Sequence, residues 1–204
     1  ATGDAEWQAR AALLTPITKA YGTDTGIEVA NLGVQVHGGM GFIEETGAAQ
    51  YARDVRVTAI YEGTNGIQAM DLVGRKMMDG GEAAYRLLEE VEKCAETARC
   101  KLPELAEDVW AAAETLREAT ERLVGQDMND RFAGAVPFLR AFARVLGGYY
   151  HLRAAMAEGG EGPRTATATF FIKRLLPEHA ALLAHAGQGA ENLYALGVDD
   201  LAAS

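Results

Sequence analysis

Glu62 sits between Tyr61 and Gly63 at a break between two helical runs. A carboxylate at such a break can act as a general base, and the backbone N–H groups near a helix start are free to stabilise a developing oxyanion. The plainer role for an isolated glutamate there is to favour the dipole of the following helix. A second cluster, Gln35-Val36-His37-Gly38-Gly39, ends an apolar helical run. Paired glycines let backbone approach a pyrophosphate closely, and they also simply end helices. Arg53 and Asp54 read as an exposed ion pair or interface contact, a structural assignment. His37, His151, His179 and His185 lack the spacing of a zinc site, so no metal is expected. His179 reads as a hydrogen-bonded core residue, and the pairs Tyr149-Tyr150 and Phe170-Phe171 as core packing.

The elements that must hold these residues are helical. Pro16 reads as a first-turn proline, after which Ile17, Ala20, Tyr21, Ile27, Ala30 and Val34 recur at helical spacing up to Gly38 and Gly39. A second helix is predicted from about Thr46 to Ile60, and a third, capped by Thr64 or Asn65, carries Ile67, Met70, Val73 and Met77. Gly80-Gly81 forms the predicted boundary. Beyond it, apolar residues spaced by three and four mark helices through Ala84–Ala98, Leu105–Leu123 and Phe132–Tyr150, with a kink or a new start at Pro137. A fourth helix runs from about Pro163 to Ala186, bent at Pro177. Short connections between four such helices predict an up-down bundle.

Composition agrees with an all-α chain, 49% hydrophobic and 24% charged over 204 residues. A formal charge of -10 disfavours nucleic acid and anionic membranes as partners, without excluding a phosphate-bearing ligand held locally by backbone. Cys94 and Cys100 both fall in a run that reads as helix, about 9 Å apart along its axis, which predicts free thiols in a reducing, cytoplasmic compartment. No run is long and apolar enough to span a membrane. The chain starts without methionine and enters helical material at once, as a piece of a larger protein would.

Residues 33–76 resemble the C-terminal signature of the acyl-CoA dehydrogenase family: Gln35 before Gly38 and Gly39, then Arg53-Asp54, then the run Ile60-Tyr61-Glu62-Gly63-Thr64. The wording EGTNGIQAMDLVGRK and the long helical tail are most similar to large members with an extra C-terminal helical domain, a group that includes enzymes acting on 3-methylmercaptopropionyl-CoA. The resemblance implies the end of that family's helical bundle in residues 1–79 and the appended helical domain in 80–204. It implies an FAD enzyme that desaturates acyl-CoA thioesters, a reaction of fatty-acid metabolism. Glu62 would remove the α-proton, its pKa raised by desolvation, while Tyr61 and Gly63 lie against the substrate. Gln35, Val36, His37, Gly38 and Gly39 would meet the adenosine diphosphate portion of a flavin held mainly by a neighbouring subunit, and Thr64 would also approach flavin. Gly66 departs from the longer polar side chain of some members and is not carried over. The implied partners are the missing N-terminal and β-domains, an electron-transfer flavoprotein and further copies in a homo-oligomer. The piece alone would be inactive. Two alternatives stay open on sequence: a stand-alone helical binding module, and an acyl-CoA oxidase of the same fold.

Overall fold

The computed structural model describes residues 4–202, in which no strand occurs and helices follow one another through short turns. The first, α1 (Ala5–Val36), is capped by Asp4, whose carboxylate accepts from the Glu6 N–H at 3.0 Å. Leu13, Pro16, Ile17 and Ala20 form its buried face. Pro16 therefore lies inside the helix, not in its first turn. Its ring is buried among apolar neighbours, which offsets the backbone hydrogen bond it cannot donate. Helix α1 ends where the sequence placed its end: Gly38 takes φ +60°, and its N–H donates to the Gln35 carbonyl.

A short turn of helix, α2 (Gly39–Phe42), leads into α3 (Ala48–Arg56), which continues as 3₁₀ backbone through Ala59. Helix α4 (Asn65–Val73) is capped by Thr64, the first of the two predicted caps. Gly41 must be glycine, because a Cβ there would stand 2.2 Å from the Val34 carbonyl oxygen.

After Gly80 and Gly81, both with positive φ, come α5 (Glu82–Ala98), α6 (Pro103–Gly125), the short α7 (Met128–Ala133) and α8 (Ala135–Ala157). Pro137 lies in the first turn of α8, so it marks a new start. Helix α9 (Pro163–Phe170) opens on a proline and passes through a π-helical turn, Phe171–Leu175, into α10 (Glu178–Ala186), with Pro177 as its N-cap. A last short helix, α11, spans Val198–Ala202. The long members of this half form the up-down four-helix arrangement, with α8 at its centre. Phe138 and Phe142 of α8 are fully buried and meet edge to face at 6.1 Å.

One hydrophobic core runs through both halves. Leu13 and Ile17 of α1 and Leu72 and Val73 of α4 belong to the same buried cluster as Leu88, Leu116 and Phe142. Polar contacts reinforce it: Arg117 of α6 donates twice to the Glu92 carboxylate of α5, at 2.8 and 2.9 Å. Other expectations need correcting. Cys100 lies in the turn after α5 and not in the helix, although both cysteines are free thiols. Of the two aromatic pairs, only Tyr149 is fully buried. Tyr150 and Phe170 are exposed, because adjacent helical positions point about 100° apart and cannot share one buried face.

Candidate functional site

The loop from Ile60 to Thr64 is shaped by two consecutive left-handed residues, Glu62 at φ +52° and Gly63 at φ +88°. Among the described residues Glu62 is the one non-glycine with positive φ. Glycine adopts this backbone freely, whereas a residue with a Cβ does so at a cost of roughly 1 kcal/mol. Glu62 thus carries backbone strain that a glycine at the same position would not. The reversal of the chain also leaves the Glu62 N–H without a partner among the described residues, beside the start of α4. A carboxylate and a free amide donor thus occupy one turn.

The carboxylate stands 3.2 Å from Lys19 Nζ on α1, and its side chain is 69% exposed. Lys19, Thr23, Thr58, Tyr61, Glu62, Gly63 and Asn65 line a small hollow at the surface. The desolvated pocket expected around Glu62 is therefore not built by this chain, whose helices cover only one side of the loop. Tyr61 is 54% exposed beside it. Thr64 is committed locally, its hydroxyl accepting from the Ile67 N–H at 3.4 Å.

Gln35 to Gly39 are all exposed at the far end of α1. His37 Nδ1 lies 2.8 Å from the Gly33 carbonyl oxygen, and a Cβ at Gly39 would meet open space. The stretch lies open at the surface, although the His37 and Gly38 N–H groups already donate to the Gly33 and Gln35 carbonyls. The two clusters do not meet: from Lys19, which marks Glu62, to Gln35 the helix advances about 24 Å. The two clusters are therefore separate surfaces and not two ends of one compact site.

Arg53 donates to Glu44 at 2.6 Å, and Asp54 is reached by Gln50, so the Arg-Asp pair serves local structure on an exposed face. His179 is half-buried, with Nδ1 2.6 Å from the Leu176 carbonyl oxygen. Among the described residues no three metal-binding side chains gather, and no helix is long and apolar enough to cross a membrane. Sequence reading overlooked Lys19 and Asn65, which touch the site only through folding. Their helical spacing from the buried face of α1 and their adjacency to the Thr64 cap were the available signals.

The segment before Gly80 matches the family model described as acyl-CoA dehydrogenase, C-terminal domain, over residues 2–78, and the later helices match the model for acetyl-CoA dehydrogenase C-terminal like domains over residues 87–197. The chain belongs to the acyl-CoA dehydrogenase family. It is similar to the 3-methylmercaptopropionyl-CoA dehydrogenase of Ruegeria pomeroyi, with 42% identity over 87% of this chain and 33% of that protein. It is also similar to a butyryl-CoA dehydrogenase of Syntrophomonas wolfei, with 32% identity over 72% of this chain and 25% of the relative. A broad-specificity linear acyl-CoA dehydrogenase of Mycobacterium tuberculosis shares 28% identity over 81% and 31%. The chain thus spans a quarter to a third of the length of these relatives.

Proposed function

We propose that this chain is the C-terminal part of an FAD-dependent enzyme that introduces an α,β double bond into acyl-CoA thioesters, with Glu62 as the base. The observation that carries the reading is Glu62 itself: a carboxylate held on left-handed backbone, on a residue whose N–H has no partner among the described residues, inside the Tyr-Glu-Gly-Thr run. The Glu62 carboxylate takes the α-proton, and its amide N–H donates to the thioester oxygen as negative charge develops there. Tyr61 and Gly63 flank the acyl group. When bound, FAD supplies the acceptor for the β-hydrogen as hydride. Gln35, Val36, His37, Gly38 and Gly39 would hold the adenosine diphosphate portion of the cofactor belonging to a neighbouring subunit, and Thr64 would approach the flavin that serves Glu62.

Residues 1–79 and 80–204 are read as the end of the catalytic bundle and an appended helical unit. Exposed Val36, Phe42 and Tyr51, at 85%, 81% and 75%, support a larger protein in which further domains and subunits cover this face. Such covering would also desolvate Glu62 and tune it for catalysis. Without those walls the chain alone is inactive in this reading. The full enzyme is a cytoplasmic oligomer that passes electrons to an electron-transfer flavoprotein.

The test compares the full-length enzyme with its Glu62→Gln variant for anaerobic bleaching of flavin absorbance by acyl-CoAs. Loss of bleaching with FAD retained supports the reading. Unchanged bleaching in the variant would overturn the role of Glu62, and absence of flavin from both proteins would favour a helical module without catalysis.

A further inference from the structure

Two left-handed residues in succession need something outside the loop to hold them, and the contacts around α4 show what does. Asn65, the first residue of α4, sends its amide nitrogen to α1, 2.6 Å from Asp24 Oδ1 and 2.9 Å from Thr23 Oγ1, with the Ala20 carbonyl oxygen at 3.3 Å. An amide nitrogen carries two hydrogens, so the two shortest contacts take them. The Thr23 hydroxyl is free to accept, since its own proton goes to the Lys19 carbonyl oxygen at 2.7 Å. The bond to Asp24 is charge-assisted and the strongest of the set. By comparison, the loop's other side-chain ties are long: Thr64 to the Ile67 N–H at 3.4 Å, and Gln68 Nε2 to the Glu62 carbonyl oxygen at 3.5 Å.

We propose that Asn65 is a positioning residue, clamping the Glu62 loop to α1 through Asp24 and Thr23 and so fixing the carboxylate where it meets the substrate. The inference rests on the reading of Glu62 as the base. The clamp joins residues more than 40 positions apart, only three residues after Glu62, while the Lys19 ion pair tethers the carboxylate itself to the same stretch of α1. Removing the clamp leaves Glu62 chemically intact but lets its loop drift. A shift of about 1 Å between reacting atoms lowers a rate on the order of 100-fold.

The experiment uses the full-length holoenzyme and measures flavin reduction by a saturating acyl-CoA, KM, bound FAD and amide hydrogen exchange across residues 60–64. Asn65→Asp sets a carboxylate against Asp24 and is expected to slow reduction by about 100-fold, with KM changed by less than about threefold and FAD retained. Exchange in the loop should accelerate. Adding Asp24→Asn restores a donor facing an acceptor, and should recover most of the rate and the protection. Asn65→Ser, uncharged but too short to reach Asp24, should resemble the single Asp variant and serves if that variant does not fold. A folded Asn65→Ser enzyme working at the wild-type rate overturns the inference, as does a folded double variant that stays slow. If Glu62→Gln abolishes reduction while the Asn65 variants are normal, the clamp alone fails. If Glu62→Gln reduces flavin normally, the reading of Glu62 fails and the clamp with it.

Discussion

Arg144 of α8 donates to the Tyr21 hydroxyl of α1 at 2.6 Å while also holding Glu178 of α10. Tyr21 follows Ala20, whose carbonyl oxygen faces Asn65, so one turn of α1 is gripped from the later helices on one side and from the Glu62 loop on the other. The two segments matched by separate family models are thus joined by a polar contact as well as by the continuous core.

Tyr21→Phe removes this contact while keeping the ring packed. A hydrogen bond from a charged donor at a half-buried site contributes about 1 kcal/mol or somewhat more, so thermal unfolding should begin a few degrees lower. Calorimetry of the chain provides the check; an unchanged midpoint would mean that solvent replaces the bond at no cost.

Glu62→Gly should separate folding from function. Glycine accepts φ +52° without the strain that glutamate bears, and the exposed Lys19 pair lost with the side chain contributes little. The variant is expected to be as stable as the natural chain, or up to about 1 kcal/mol more so. A midpoint several degrees lower would show that the Glu62 side chain is structural.

Gly134, the N-cap of α8, lies against the backbone at the end of α10. A Cβ there would stand 2.3 Å from the Ala186 carbonyl oxygen, which belongs to main chain and cannot swing aside. Gly134→Ala should therefore cost about 2–3 kcal/mol, whereas Gly125→Ala, which meets nothing within 4 Å, should be close to neutral. Urea unfolding of the two variants distinguishes them.

His151 lies against the Phe171 ring at 4.6 Å, and burial pushes its imidazole pKa below the ordinary 6.5. Folding therefore favours the neutral ring. The associated stability is complete above the unfolded value near 6.5 and is lost as pH falls through the lower folded value. Stability measured from pH 7.5 downward should decline in this window, and His151→Gln should flatten the decline. An equal slope in the variant would assign the dependence to other groups.

The sequence by itself determined that the chain is helical and where most of its helices break. Gly38 as the end of α1, Thr64 or Asn65 as the cap of α4, Pro137 as a kink or a new start and Pro177 at a bend are local matters of φ, capping and hydrogen-bond supply, which neighbouring residues decide. The family signature was legible for the same reason, as residue types in fixed order. Tertiary structure decided what local pattern cannot encode. Burial makes Pro16 tolerable inside a helix. Contacts spanning 42 and 123 positions bring Asn65 to Thr23 and Tyr21 to Arg144. Glu62 adopts a backbone that its residue type disfavours, in a loop that Asn65 ties to α1 through Asp24 and Thr23. Each depends on which helix faces which, and that is fixed only when the shared core closes.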